Sequence, residues 1–178
     1  KVNIALKSDA DITLSRNTTT LLGGGYSLSG GGSQTLSVKG SAVLNLGGQD
    51  GTDVLTFDGN NQDITAVSVS GKAQLNMYDG VIIKNYHDSG VKVGGDTADQ
   101  PQFHMYGGII QNCSAAKNGG VYAADVNFEM SDGVIDHCTA IGSIGGGGIV
   151  ITHTAVSIDL KLTGGEIVNN NADNGLGG

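Results

Sequence analysis

Two tyrosines occupy the same position of a repeated unit and are the residues best suited to binding a ligand. Tyr78 in "LNMYDG" and Tyr106 in "FHMYGG" each follow a methionine. Alternation with period two places both on the outer face of a strand, beside His104 and near Asn76. Aromatic rings with polar neighbours can bind the face of a sugar or an apolar protein surface. Tyrosines are also good exposed strand residues, and Tyr122 in "VYA" is a further candidate of the same kind.

A second candidate chemistry is calcium binding. The stretch "GGQDGTDVLTFDGNNQD", residues 47–63, partly resembles the Gly-Gly-x-Gly-x-Asp nonapeptide repeats that bind calcium, with Asp50, Asp53 and Asp58 as candidate ligands. A calcium ion needs ~6–8 oxygen ligands, which a single imperfect copy of the repeat cannot supply. We therefore expect solvated turn residues here, with calcium as the alternative and no other cofactor.

Composition excludes several classes of protein. The 178 residues contain no apolar run near the ~18 residues of a membrane span, so we expect no membrane insertion. A formal net charge of −8 makes nucleic acid and anionic membranes poor partners. The 31 glycines, together with frequent Asn and Asp and very few Glu, favour turns and strands over helices.

The chain is built from a repeat that consists of an alternating strand, a glycine and an apolar pair. Its clearest copies are "LNMYDGVIIKN" from Leu75, "FHMYGGIIQN" from Phe103, "FEMSDGVIDH" from Phe128 and "LKLTGGEIVNN" from Leu160. Their glycines, at positions 80, 108, 133 and 165, are 28, 25 and 32 residues apart. Short runs such as "VKV", "VYA" and "IVI" add another strand per copy. Three short strands per coil predict an all-β parallel β-helix (β-solenoid) of about six to seven coils.

Equivalent positions of successive coils must stack in register, and they therefore predict the core. The expected inward ladders are Leu75, Phe103, Phe128 and Leu160; Met77, Met105, Met130 and Leu162; and Ile83, Ile110, Ile135 and Val168. Each such side chain contributes roughly 1.5–3 kcal/mol when fully buried, so only a stack of coils accumulates a stable core.

Polar residues and cysteines stack at the corner that follows the apolar pair. The predicted structural ladder is Asn85, Asn112, His137 and Asn169. Its amides can bond to one another and to the turn backbone, and we interpret His137 as a structural substitute, with a functional role as the alternative. Cys113 and Cys138 come next, in adjacent coils. A Cα separation of ~4.4–6.8 Å would permit a disulfide, and a pair of buried thiols is the other interpretation.

The stretch "FHMYGGIIQNCSAAKNGGVYA", residues 103–123, identifies a family likeness that extends over residues 67–178. It resembles the right-handed parallel β-helix repeats of bacterial surface proteins. These form the adhesin-type branch of the pectate-lyase-like superfamily and are similar to the repeats of polymorphic outer membrane proteins. The resemblance implies right-handed coils, an extracellular or cell-surface location, and adhesion to a host glycan or an extracellular protein.

Enzymes of that superfamily set a test for catalysis. Its polysaccharide lyases need Arg or Lys beside acidic calcium ligands, and glycoside hydrolases need two carboxylates ~5–10 Å apart on one face. Arg16 is the only arginine of the chain. The outward acids Asp79 and Asp132 are two coils apart, with Gly107 at the equivalent position between them. We therefore expect no catalytic residues.

These observations predict one β-helix domain over residues 1–178, as a fragment of a longer surface protein, because Lys1 stands where a methionine or signal segment is expected. The expected function is that of a non-catalytic adhesin or glycan- or protein-binding module. The alternatives are a passive stalk and part of a polysaccharide lyase or glycoside hydrolase.

The lengthened turns 94–101 and 152–157 are candidate rims of a site. The final "NGLGG" predicts an open C-terminal coil capable of end-to-end self-association.

Overall fold

The computed structural model of the chain describes residues 7–8, 12–30, 32–95, 99–143, 145–153, 159–174 and 177. Within these residues the protein is all-β, and none of its elements is a helix that could cross a membrane. The strands pair in parallel and stack as a β-solenoid, which confirms the predicted fold class. Residues 96–98 and 154–157 of the two lengthened turns, and residues 175, 176 and 178 of the final "NGLGG", lie outside the described residues.

The strands form three sheets that run along the solenoid axis. The largest sheet contains β1 (Lys7–Ser8), β3 (Thr18–Leu21), β4 (Tyr26–Gly30), β6 (Val43–Leu46), β7 (Leu55–Gln62), β9 (Gln74–Met77), β10 (Val81–Tyr86), β12 (Gln102–Gln111), β15 (Asn127–Asp136), β18 (Leu160–Leu162) and β19 (Glu166–Val168). The second contains β2 (Ile12–Leu14), β5 (Gln34–Val38), β8 (Thr65–Val69), β11 (Val91–Gly94), β14 (Val121–Ala124) and β17 (Ile149–Thr152). The third contains β13 (Ser114–Ala115), β16 (Thr139–Ala140) and β20 (Asn171–Ala172).

The six stacked strands of the second sheet correspond to about five turns of the solenoid. The prediction of six to seven coils was therefore slightly high. It divided the whole chain by the repeat length and so counted the partial coils at both ends as complete. The predicted separation into short strands also needs a correction, because β12 and β15 each run for 10 residues through the glycine corner and join two walls of the coil.

The core consists of the in-register ladders that the repeat predicts. Leu44, Leu75, Phe103 and Phe128 stack in successive coils. The rings of Phe103 and Phe128 have centroids 5.2 Å apart. Met77, Met105 and Met130 form the second ladder and are at most 1% exposed. Because each coil covers the next, Leu160 and Leu162 in the last described coil remain about half exposed, at 51% and 50%.

The third core ladder differs from its prediction at one residue. Ile83, Ile110 and Ile135 pair in register, but the residue opposite Ile135 is Ile167, and Val168 lies opposite Asp136. The inward isoleucine is the third residue after Gly80 but only the second after the corner glycine of each later coil. Counting from Gly80 therefore selected Val168, whereas strand alternation turns Ile167 inward.

Candidate functional site

The corner ladder of Asn85, Asn112, His137 and Asn169 has a common backbone conformation. All four residues have positive φ, at 59°, 52°, 48° and 53°. Asparagine is among the few side chains that tolerate this left-handed region, which explains why the repeat keeps it there. The expected amide-to-amide bonds do not occur among the described residues. Instead Asn85 donates to Asp58 at 3.0 Å and Asn169 donates to Asp136 at 2.9 Å.

Aspartates, rather than neighbouring amides, therefore stabilise this corner. The Nδ1 atom of His137 lies 2.7 Å from Asp136 Oδ1. The hydrogen bonds from His137 and then Asn169 lower the pKa of Asp136. His137 thus has a left-handed φ like the asparagines of the ladder. Its partner, Asp136, is also the partner of Asn169.

Cys113 and Cys138 are free, buried thiols in adjacent coils. Each Sγ atom lies against the carbonyl oxygen of the residue two positions earlier, at 3.3 Å for Cys113 and 3.4 Å for Cys138. The hydrogen bond with Cys138, together with burial, raises the pKa of Cys113 well above its usual value. The pair packs into the core next to Tyr86, whose hydroxyl bonds to Thr35 Oγ1 at 2.9 Å.

The three candidate calcium ligands bind different groups of the protein. Asp53 accepts hydrogen bonds from the backbone N–H groups of Gly23 and Gly24, at 2.6 and 2.9 Å. Asp50 Oδ1 accepts from the N–H of Thr52 at 3.2 Å.

Asp58 forms an ion pair with Lys84 at 3.2 Å and accepts from Asn60 and Asn85. These hydrogen bonds and the Lys84 charge outweigh burial and leave the pKa of Asp58 below its usual value. No group of three or more His, Cys, Asp or Glu side chains that could hold a metal occurs among the described residues.

The outward acids Asp79 and Asp132 bind backbone rather than each other. Asp79 Oδ1 accepts from the N–H of Gly108 at 3.2 Å, and Asp132 Oδ1 accepts from Gly133 at 2.7 Å. A Cβ atom on Gly107 would lie 2.1 Å from Asp79 Oδ1. The glycine between the two acids therefore makes room for Asp79 at the corner.

Tyr78 and Tyr106 lie together on the outer face of the largest sheet, as the sequence predicts. Their rings stack with centroids 5.3 Å apart and an interplanar angle of 18°. Each ring therefore has one face covered by the other ring. The Tyr78 hydroxyl accepts a hydrogen bond from Gln49 Nε2 at 3.3 Å, and the Tyr106 hydroxyl lies 3.3 Å from His104 Nδ1. In the next coil the strand register pairs Tyr106 with Asp132, and the His104 imidazole lies beside the Tyr106 ring, with centroids 5.7 Å apart and an interplanar angle of 58°.

A row of polar side chains runs beside the tyrosines along the solenoid axis. Strand pairing aligns Thr20, Asn45, Asn76, His104, Glu129 and Lys161 in six successive strands. Asn76 Nδ2 donates to Asn45 Oδ1 at 2.8 Å, and Asn45 Nδ2 donates to Thr20 Oγ1 at 3.3 Å. We call Tyr78, Tyr106, Asn45, Asn76 and His104 the tyrosine–amide face.

His104 connects the row to the tyrosines. Its Nδ1 atom lies 3.2 Å from Asn76 Oδ1 and 3.3 Å from both Gln74 Nε2 and the Tyr106 hydroxyl oxygen. The amide of Gln74 and the hydroxyl of Tyr106 can donate to this nitrogen only when it carries no proton, whereas Asn76 Oδ1 can accept from it only when it is protonated, so the tautomer of His104 decides which bonds form. Burial lowers the pKa of His104, which agrees with a neutral imidazole, although the charge of Glu129 acts in the opposite direction.

Beyond His104 the outer face contains a shallow depression of about 210 Å³. It is lined by Gln102, His104, Asn127, Phe128, Glu129, Asp159 and Lys161. An ion pair joins Lys161 Nζ to Glu129 Oε1 at 2.6 Å. Sequence reasoning missed Glu129 and Lys161, although the signal was present: each directly follows an inward core residue, as His104 follows Phe103.

Tyr122 is not part of this face. It lies on β14 in the second sheet, where its hydroxyl is 3.4 Å from Thr152 Oγ1. The structure therefore brings together four of the five predicted ligand-binding residues. No protein-family model matches the chain, and neither a curated protein nor a solved structure matches it.

Proposed function

We propose that this protein is a non-catalytic glycan-binding module of a bacterial surface or secreted protein. The observation that carries the proposal is the tyrosine–amide face, in which two stacked tyrosines lie beside a row of amide and imidazole groups. An exposed aromatic ring can pack against the apolar face of a sugar, and adjacent amides can bind its hydroxyl groups. The likeness of the repeats to adhesin-type β-helix proteins supports the location outside the cell.

The geometry also suggests how a sugar would approach. The faces that the two tyrosines turn toward each other are closed by their stacking. The ring of Tyr106, 37% exposed, has its second face directed toward the coil of Asp132 and Glu129. We infer that a sugar packs against this second face, with the amide row and the depression supplying hydrogen bonds.

The absence of catalysis is part of the same proposal. The outward acids Asp79 and Asp132 each accept a hydrogen bond from a corner N–H group. These two carboxylates are therefore bound to separate corner backbone groups, at Gly108 and at Gly133. A hydrolase would need two carboxyl groups that converge on one glycosidic bond.

A passive stalk is the second candidate, and one observation favours it. The polar row satisfies its own hydrogen bonds, from Gln74 through Asn76 to Asn45, as a structural ladder would. A stalk requires no ligand, so the two candidates differ in whether the outer face binds anything.

A glycan and extracellular-matrix protein array tests the proposal. The protein is compared with a Tyr78→Ala/Tyr106→Ala variant and with Tyr122→Ala, which removes an outward tyrosine from a different sheet. Circular dichroism and thermal unfolding check that all three are folded. We expect selective glycan binding that only the double variant loses. Absence of binding in every sample would favour the stalk, and selective binding to a matrix protein would replace the glycan with a protein partner.

A further inference from the structure

We propose that the depression beyond His104 binds the ammonium group of an amino sugar, so that the ligand of the tyrosine–amide face is a saccharide with free amino groups. The inference rests on the proposed glycan-binding function and specifies its ligand. It is carried by the position, the charge and the unused hydrogen-bonding groups of the depression.

The position joins the depression to the proposed site. His104 belongs both to the tyrosine–amide face and to the lining of the depression. Strand pairing places Glu129 next to His104 and Lys161 next to Glu129 along the same row. A saccharide packed against the second face of Tyr106 therefore has the depression within reach of its substituents.

The charge of the lining favours a cation. Glu129 and Asp159 contribute two negative charges and Lys161 contributes one positive charge. His104 is neutral when it accepts hydrogen bonds from Gln74 and Tyr106, so it does not balance the second carboxylate. The whole chain has a formal net charge of −8, which adds a long-range attraction for cationic ligands.

The carboxylates that line the depression have fewer hydrogen-bond partners among the described residues than the amides of the polar row beside the tyrosines. Glu129 Oε1 binds Lys161, and its second carboxylate oxygen has no partner among the described residues. Asp159 donates its backbone N–H to Asn127 Oδ1 at 3.1 Å, while its carboxylate receives no bond from the described part of the chain. An ammonium group has three donors and no acceptor, which suits carboxylate oxygens that have no partner within the described part of the chain.

A carboxylate ligand fits the same lining poorly. The only cation, Lys161, is already bound to Glu129 at 2.6 Å. A uronic acid would have to share Lys161 with Glu129 and would approach two carboxylates of like charge. A neutral N-acetyl group would avoid the repulsion but would leave these carboxylate oxygens unused. The depression should therefore bind an amino sugar in preference to a uronic acid or an N-acetylated sugar.

The test compares an oligomer of β-1,4-linked glucosamine with its N-acetylated counterpart of the same length by isothermal titration calorimetry. We expect the amino oligomer to bind roughly tenfold more tightly, a difference of about 1.4 kcal/mol. High salt should reduce this preference because the attraction is screened. In a Glu129→Gln/Asp159→Asn variant the two oligomers should bind equally.

A matched variant controls for unspecific attraction of a cation to an acidic protein. Asp63→Asn/Glu166→Gln removes the same two types of charge, and neither residue lines the depression. Retention of the preference in this variant, with its loss in Glu129→Gln/Asp159→Asn, supports the inference. Equal binding of both oligomers to the unmodified protein, equal losses in the two variants, or failure of both oligomers to bind overturns it. The proposed function is judged separately, by the array and the tyrosine variants.

Discussion

Tyr78 and Tyr106, which are 28 residues apart in the chain, stack with their ring centroids 5.3 Å apart on the outside of the solenoid. Stacked aromatic pairs stabilise folded proteins by about 0.5–1.5 kcal/mol beyond the area that they bury. A double-mutant cycle of Tyr78→Ala and Tyr106→Ala, measured by urea unfolding, should give an interaction energy in this range.

The same cycle performed with Tyr78 and Tyr122 provides the control. Tyr78 directly follows β9 of the largest sheet and Tyr122 lies on β14 of the second sheet, so their effects on the free energy of unfolding should add. An interaction energy near zero for Tyr78 and Tyr106 would show that the stack has no role in stability.

Gly107→Ala should destabilise the fold, because the added Cβ would lie 2.1 Å from Asp79 Oδ1 and 2.8 Å from the Asp79 backbone nitrogen. Overpacking of this kind costs about 1–3 kcal/mol. Gly94→Ala is the matched control, since its Cβ would meet only Ala124, at 3.5 Å or more. Thermal unfolding measures both variants, and equal melting temperatures would contradict the close approach at Gly107.

The left-handed corner predicts an unusual order of substitutions at Asn112, whose φ is 52°. Asn112→Gly should leave stability nearly unchanged, because glycine adopts this φ without strain. Asn112→Val should lower the free energy of unfolding by about 1–2 kcal/mol. His137→Asn should be tolerated, since the asparagines of the other coils occupy the same conformation. If Asn112→Val leaves the free energy of unfolding unchanged, the backbone conformation does not explain the asparagine ladder.

His104 should make stability depend on pH in mildly acidic solution. Burial lowers its folded-state pKa, so the unfolded chain binds the proton more tightly than the folded chain does. The free energy of unfolding should therefore fall as pH decreases below about 6.5, the value of an exposed histidine, and should level off below the folded-state pKa.

A His104→Gln variant, which cannot titrate, should lack this dependence. Glu129 and Lys161 also face the imidazole, and the pKa of Glu129 is lowered by its hydrogen bond to Lys161. The contribution of Glu129 to stability is lost only at more acidic pH, as its carboxylate becomes protonated. Urea unfolding at a series of pH values therefore separates the effect of Glu129 from that of His104. Identical profiles for both proteins above pH ~5 would refute the role of His104.

Cys113 and Cys138, which are 1% and 0% exposed, should resist alkylation in the folded protein and react once the chain is unfolded. Mass spectrometry after iodoacetamide treatment, with and without denaturant, measures both states. Rapid modification of the folded protein would contradict burial. A pair that stays unmodified in denaturant and reacts only after reduction would be a disulfide instead of two thiols.

The sequence by itself predicted the architecture, because a solenoid repeats one local pattern. Alternation with period two decides which residues face inward, and the recurring glycines decide which residues stack, so the ladder of Phe103 and Phe128 was evident from the repeat. The juxtaposition of Tyr78, Tyr106, His104 and Asn76 followed from the same rule, since in-register coils place equal positions side by side.

Only the tertiary structure decided what those neighbours do. Whether Asn85 bonds to another amide or to Asp58, and whether His104 connects Gln74 to Tyr106, depends on side-chain directions that the repeat does not encode. The pairing of Glu129 with Lys161 joins residues 32 positions apart and creates the depression beside them. The repeat length also varies from coil to coil. Because the coil of Gly80 has one added residue, the predicted ladder contained Val168, whereas the structure places Ile167 opposite Ile135.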